Sequence, residues 1–100
     1  MNPKVTTTGK FPRCVGTHTV VLYEPATGHI HHLHHALIFE GPRPAEADME
    51  ATARRSARHN RFAPLPADLG ALHLHDANLP DGPLRVDVAG KRLIPHAENA

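Results

Sequence analysis

Histidines are the residues of this sequence whose spacing points most directly to chemistry. The chain of 100 residues contains ten of them, and five lie between Gly28 and Phe39. On a β-strand, residues i and i+2 point the same way with Cβ atoms about 6.5 to 7 Å apart, so two imidazoles at this spacing can bind one ion. Three pairs have this His-x-His spacing: His29 with His31, His32 with His34, and His73 with His75.

These pairs predict a site for a divalent transition metal. Neutral imidazole is a common ligand of zinc, iron and nickel, and these are the ions that we expect. One pair does not complete a site, because zinc takes about four ligands and a catalytic zinc about three plus water. Three chains that each gave one pair would supply six nitrogens to an octahedral ion. Within one chain, carboxylates could complete the site: Glu24, Asp76, Asp81 and Asp87.

The closely spaced pairs resemble the metal-binding His-x-His motifs of trimeric phage fibre and spike proteins. The turn Tyr23-Glu24-Pro25-Ala26-Thr27-Gly28 resembles turns of small phage-tail-associated proteins. The resemblance is confined to these residues and assigns the chain to no family. It implies an oligomer or a larger assembly, such as a virion-like particle, into which the chain is incorporated.

Two other interpretations of the histidines stay open. They could serve as half-polar β residues that stack and hydrogen-bond across strands without any ion. They could also form a pH-sensitive interface, because the formal charge of +1 with neutral histidines would rise toward about +11 on moderate acidification.

An enzyme is the alternative function. The segment His73-Leu74-His75-Asp76 is similar to the His-x-His-x-Asp-His strings of metal-dependent hydrolases. A small metal-dependent enzyme would use His29, His31, His73 and His75 as ligands. A nucleophile at Cys14 would need a histidine base beside it, which nothing in the sequence indicates. We therefore predict no catalytic residue.

The elements that must position these histidines are short strands and one helix. Residues 17–23 and 28–39 are rich in β-forming residues and flank a Pro- and Gly-containing turn, which predicts a hairpin. Residues 45–59 carry acidic side chains first and basic ones last, which is typical of a helix. Alternation predicts further strands at 71–75, 84–88 and 91–94. The order β-β-α-β-β-β predicts an α+β fold, with one antiparallel sheet of about five strands and the helix packed on one face.

Strand periodicity divides the first histidine stretch between two faces. His29, His31 and His35 share one face, while His32 and His34 share the other, so both sets cannot serve one ion within one chain. The remaining histidines are predicted as surface or rim residues, although hairpin pairing could bring His18 near the His29–His31 pair. These are His18, His59 and His96.

Composition and length predict one domain with a thin core. We expect an extended N-terminal arm over residues 1–14, a single domain over 15–95 and a tail over 96–100. The chain has no tryptophan, one tyrosine and three phenylalanines, so the core must be built from small aliphatic residues. Such a domain is often completed by a partner, and we expect self-association or a protein assembly partner.

Charge and segment length exclude several classes of function. The near-neutral balance predicts no nucleic-acid or membrane partner. The sequence contains no apolar segment of transmembrane length and no leading signal-like stretch, so we expect a soluble cytoplasmic protein. The single cysteine excludes an internal disulfide. Together these features predict a non-enzymatic structural or interaction module with a histidine-rich strand at its interface.

Overall fold

The computed structural model describes residues 12–59, 65–79 and 81–96. The predicted order of strands and helix is confirmed in this part of the chain. Most of the predicted N-terminal arm lies outside the described residues, and so does most of the predicted tail. No helix in the described ranges has the length and apolar character needed to cross a membrane. The elements are β1 (Cys14–Tyr23), β2 (Ile30–Phe39), α1 (Glu46–His59), β3 (Gly70–His75), β4 (Leu84–Asp87) and β5 (Arg92–Pro95).

The larger sheet has three antiparallel strands in the order β2-β1-β3. Its hairpin of β1 and β2 confirms the predicted one. Gly28 ends the connecting turn with φ of +81°, a backbone conformation that side chains disfavour and glycine adopts readily. In the sheet, His18 lies opposite Ala36 of β2 and opposite His75 of β3. The central position of β1 thus brings a histidine of the first strand beside a histidine of the third.

Strands β4 and β5 form a separate two-stranded sheet, so the five antiparallel strands divide between two sheets. The small sheet covers the face of the larger sheet that lies opposite α1. There the backbone N–H of Val86 donates to the carbonyl oxygen of Gly28 at 2.9 Å. Alternation of apolar residues indicates that a strand has one buried face, but not which strand it pairs with. The sequence pattern is therefore the same for one sheet of five strands and for this arrangement.

The larger sheet is buried on both faces. On one face α1 contributes a stripe of mostly small buried side chains at four-residue spacing, which lets the helix lie close to the strands. On the other face, Val21, Tyr23 and Leu72 pack against Val86 of β4. The helix-side cluster contains Val20, Leu22, Ile38, Met49, Ala53, Ala57 and Leu69.

Candidate metal centre

A cluster of histidines and glutamates lies where α1 crosses β1 and β3. His18, Val20 and Leu22 alternate along β1, and the latter two belong to the helix-side cluster. In an antiparallel sheet, residues that lie opposite each other share a face. His75 lies opposite His18 and His73 lies opposite Val20, so all three histidines face the helix. The first turns of α1 supply the acidic partners of this cluster.

Three ligand atoms of this cluster converge. A ring nitrogen of His18, a ring nitrogen of His75 and a carboxylate oxygen of Glu46 all lie within 4.8 Å of one another. His75 Nε2 and Glu46 Oε2 are 3.2 Å apart. Donors that each lie about 2.0–2.2 Å from one ion are themselves about 2.8–3.6 Å apart, from octahedral to tetrahedral geometry, so this separation suits two neighbouring ligands. The described ranges contain one such group of three, and its geometry could hold a metal ion.

His18 is the buried member of the group. Its side chain is fully buried, and its ring lies edge-on to that of His75 with centroids 4.6 Å apart. His18 Nε2 is 2.8 Å from His73 Nδ1, whereas His18 Nδ1 is buried and has no hydrogen-bond partner. A buried polar atom without a partner costs free energy, so such atoms in folded proteins call for an explanation. A metal ion bound to Nδ1 would be one such explanation.

The surroundings of His18 favour its neutral, metal-binding form. Burial lowers the pKa of His18 below 6.5, and the nearby charges of His75 and His73 lower this pKa further. An imidazole binds a metal only through an unprotonated nitrogen. At neutral pH His18 is therefore in the form that a metal requires.

A second glutamate lies behind the three ligand residues. His73 Nε2 donates to Glu50 Oε1 at 3.1 Å, and Arg54 Nη2 donates to Glu50 Oε2 at 2.9 Å. The hydrogen bond from His73, and after it that from Arg54, lowers the pKa of Glu50. The ionised carboxylate can only accept hydrogen bonds. Glu50 is thus a fixed acceptor for His73.

The structure brings one predicted His-x-His pair into this cluster. His75 offers a ligand atom, and His73 contacts His18 without belonging to the group of three. The predicted metal ligands of β2 do not join them. His32 and His34 lie on the helix-facing side, opposite Leu22 and Val20, with their rings stacked at a centroid distance of 6.1 Å.

The first predicted pair lies at the other end of β1. His31 Nε2 donates to Glu24 Oε2 at 3.1 Å, and the rings of His29 and His31 are 4.9 Å apart. Glu24 follows the last residue of β1, and His18 lies six residues earlier, which corresponds to about 20 Å along the strand. The four ligands of the predicted enzyme, His29, His31, His73 and His75, are therefore not brought together.

The strand alternation holds for His35, which lies opposite Thr19. Its Nδ1 is 2.8 Å from the hydroxyl oxygen of Thr19, on the face away from α1. His29 precedes β2 and lines a cavity of about 520 Å³ with Arg85 and His96. The histidines of this stretch are thus spread over both faces of the sheet and its preceding turn.

The prediction of His18 as a surface or rim residue was wrong. Its strand is central and covered on both faces, so a side chain that points to the helix is buried. Hairpin pairing places His18 opposite Ala36, far from the first pair, and the pairing of β1 with β3 brings it to the third pair instead. That pairing joins residues 47 to 57 apart in sequence, which a local pattern does not reveal.

Sequence reasoning also missed Glu46 and Glu50, since the acidic residues at the start of the helix were interpreted only as charges that suit the helix dipole. A usable signal exists in their spacing. Four residues of helix rise about 6 Å, close to the spacing of i and i+2 on a strand. The Glu46–Glu50 pair can therefore match the His75–His73 pair side chain by side chain, as it does here.

Comparison of the chain with protein-family models, with curated proteins and with solved structures finds no match.

Proposed function

We propose that the protein is a non-enzymatic structural module that binds one divalent transition metal ion through His18, His75 and Glu46. The observation that carries the proposal is the convergence of three donor atoms within 4.8 Å on a buried histidine whose Nδ1 has no partner. Chance proximity of exposed acidic groups is common, but a fully buried imidazole at the centre of such a group is not expected by chance.

The donor set supports zinc, ferrous iron or nickel as the ion. Two imidazole nitrogens and one carboxylate oxygen suit these borderline metals better than calcium or magnesium, which prefer oxygen ligands alone. Three protein ligands leave at least one position for water or for a group from a partner. Zinc is our first choice because it accepts this mixed set in four-coordinate geometry.

A metal here would fasten the helix to the sheet. The three ligands come from β1, β3 and α1, so one ion links three elements that are distant in sequence. An ion that binds only the folded state stabilises it by about 2.7 kcal/mol when its concentration is 100 times its dissociation constant. For a domain with so few aromatic residues, this contribution is a substantial part of the usual total of about 5–15 kcal/mol.

Elemental analysis tests the proposal. Protein purified without a nickel column, stripped with chelator and equilibrated with zinc is expected to retain about one ion per chain, and less than about 0.1 would contradict a stoichiometric site. Glu46→Gln and His75→Ala should remove the bound zinc. Both residues are exposed, so these variants are expected to fold. Asp48→Asn and His59→Ala, on the same helix but outside the cluster, should keep it.

The proposal includes self-association through the β1–β2 hairpin. Val15, Leu37 and Phe39 are 51%, 62% and 46% exposed, and they lie at the end of the hairpin where Cys14 pairs with Phe39. β2 is an edge strand of its sheet, and residues 30–39 carry no Asp, Glu, Lys or Arg. Two copies could therefore approach along this strand without repulsion between fixed charges, and we expect a second copy of the chain as the partner.

Sedimentation tests this part of the proposal separately. The wild-type chain is expected to form a dimer at micromolar concentration, and Leu37→Lys should shift it to monomer. Ala51→Lys, which adds the same charge on the exposed side of α1, should leave the dimer intact. A wild-type monomer at all accessible concentrations would rule out this interface.

A metal-dependent enzyme is the second candidate function. It is favoured by the half-exposed side chains of His75 and Glu46, because water could reach an ion held there and occupy its open position. Zinc-loaded protein should then hydrolyse an activated ester faster than zinc alone, at a rate proportional to bound zinc. A rate that Glu46→Gln leaves unchanged would exclude catalysis at this site.

A further inference from the structure

A chain of hydrogen bonds runs from α1 through β3 to the buried ligand on β1. Arg54 Nη2 donates to Glu50 Oε2 at 2.9 Å, and Glu50 Oε1 lies 3.1 Å from His73 Nε2. His73 Nδ1 lies 2.8 Å from His18 Nε2. Both nitrogens of His73 are therefore engaged, and one nitrogen of His18 is engaged while Nδ1 has no hydrogen-bond partner.

The acceptor at the helix end determines the direction of every hydrogen bond in this chain. An ionised carboxylate only accepts, so His73 Nε2 must carry a hydrogen and donate it to Glu50. In neutral His73 the other nitrogen, Nδ1, then has only a lone pair and must accept. The donor to it is His18 Nε2, which therefore carries the hydrogen of neutral His18. His18 Nδ1 is left with a bare lone pair.

We propose that Glu50 and His73 are positioning residues that fix His18 in the tautomer whose unprotonated Nδ1 binds the metal ion. The inference deepens the proposed metal-binding function and rests on it for the role of Nδ1. We call the hydrogen-bond chain Arg54–Glu50–His73–His18 the relay. Without the relay, both tautomers of His18 would be populated, and only the one with hydrogen on Nε2 has an unprotonated Nδ1 that can bind a metal. With it, the ligand nitrogen is prepared before the metal arrives.

The fold supplies the rigidity that this relay needs. His73 lies on a strand, Glu50 and Arg54 lie one turn apart on a helix, and the helix packs against the same face of the sheet. Removal of the hydrogen-bond partner behind a metal-binding histidine typically weakens metal binding 10–100-fold, because the ligand loses its orientation and tautomer. The positioning role is therefore measurable even though neither residue contacts the ion.

The first test uses the metal-free protein. Nitrogen-15 NMR of the imidazole rings at neutral pH distinguishes protonated from bare nitrogens and identifies the tautomer of each histidine. In the wild-type chain we expect His18 with hydrogen on Nε2 and a bare Nδ1. In Glu50→Ala we expect a mixture of tautomers, because no carboxylate then holds the hydrogen on His73 Nε2. Hydrogen on His18 Nδ1 in the wild type would overturn the inference.

The second test measures zinc affinity by competition with a chromophoric chelator. Glu50→Ala is expected to weaken binding about 10–100-fold. Asp48→Ala is the matched control, since it removes a carboxylate from the same helix without touching the relay, and it should bind as the wild type does. Equal affinity of Glu50→Ala and wild type would overturn the positioning role.

The two tests separate this inference from the proposed function. If the wild type binds no zinc but Glu50→Ala disturbs the His18 tautomer, the metal proposal fails. The result would still support the role of Glu50 and His73 in fixing the tautomer of His18. If zinc binds stoichiometrically at His18, His75 and Glu46 while Glu50→Ala changes neither tautomer nor affinity, the metal proposal holds and the relay is overturned.

Discussion

His18 combines two properties that rarely occur together, complete burial and a ring nitrogen without a hydrogen-bond partner. In a core of small aliphatic residues, a leucine would fill this position without leaving a polar atom unpaired. The presence of histidine at this position is therefore best explained by a ligand that completes its bonding. This interpretation makes the effect of metal on stability the property to measure.

Replacement of His18 should abolish stabilisation by zinc. The wild-type chain is expected to gain about 2.7 kcal/mol in free energy of unfolding when zinc is present at 100 times its dissociation constant. His18→Leu should gain nothing, because one of three ligands is gone. His34→Leu, a change of the same kind on the same face of the sheet, should respond to zinc like the wild type. Denaturant unfolding with and without zinc measures this difference, and an equal gain in His18→Leu would contradict the assignment.

Glu24 provides a pH test away from the candidate metal centre. The hydrogen bond from His31, and after it that from the Thr27 hydroxyl, lowers the pKa of Glu24 below 4.5. A carboxylate whose pKa is lower in the folded state stabilises the fold above its unfolded pKa, and this contribution is lost as pH falls through the folded value. Glu24→Gln should therefore be less stable than wild type at pH 7, with the difference shrinking by about pH 3.

Denaturant unfolding of the two proteins at both pH values measures the Glu24 contribution. A difference that stays constant with pH would show that the loss comes from shape or turn geometry, not from the charge of the carboxylate.

At the scale of elements, the helix depends on small side chains for its close approach to the sheet. Ala53 is fully buried in the helix-side cluster, whereas Ala51 is exposed on the same helix. Ala53→Leu should destabilise the protein by about 1–3 kcal/mol through overpacking. Ala51→Leu should change the free energy of unfolding by less than about 0.5 kcal/mol. Equal effects in denaturant unfolding would show that the helix is not packed as described.

The turn between β1 and β2 is coupled to the small sheet through Gly28. A Cβ at this position would overlap the carbonyl oxygen of Val86, and the residue has φ of +81°. Gly28→Ala should therefore cost the backbone strain and also displace β4. Gly82 has a similar φ of +88°, and a Cβ added there would have no atom within 4 Å. Gly82→Ala should therefore introduce backbone strain without a steric clash.

We expect Gly82→Ala to cost about 1–2 kcal/mol and Gly28→Ala at least about 2 kcal/mol more, measured by thermal or denaturant unfolding. Equal losses in the two variants would mean that the small sheet does not rest on the turn.

The elements themselves were predictable because their signals are local. The β-forming residues of 17–23 and 28–39, the Pro- and Gly-containing turn between them and the acidic-to-basic order along 45–59 are each signals carried by neighbouring residues. The pairing of β1 with β3 is not local, and neither is the docking of α1. His75 could therefore be predicted as a ligand from its spacing to His73, while its partners His18 and Glu46 could not be identified.

At the scale of the whole molecule, one central strand organises both cores and the candidate site. Residues Val20 to Tyr23 are buried side by side, since α1 covers one face of β1 and the small sheet covers the other. His18 and Thr19, just before them on the same strand, are buried as well. The separate small sheet provides one side of this double coverage, while β2 is an edge strand whose end carries the exposed side chains of Leu37 and Phe39.

A crystal structure of zinc-equilibrated protein, with anomalous diffraction recorded at the zinc absorption edge, tests the central claim most directly. The account predicts one strong anomalous peak about 2.0–2.2 Å from His18 Nδ1, from a ring nitrogen of His75 and from a carboxylate oxygen of Glu46. No peak at this position, or a peak bound by His29 and His31 instead, would contradict it.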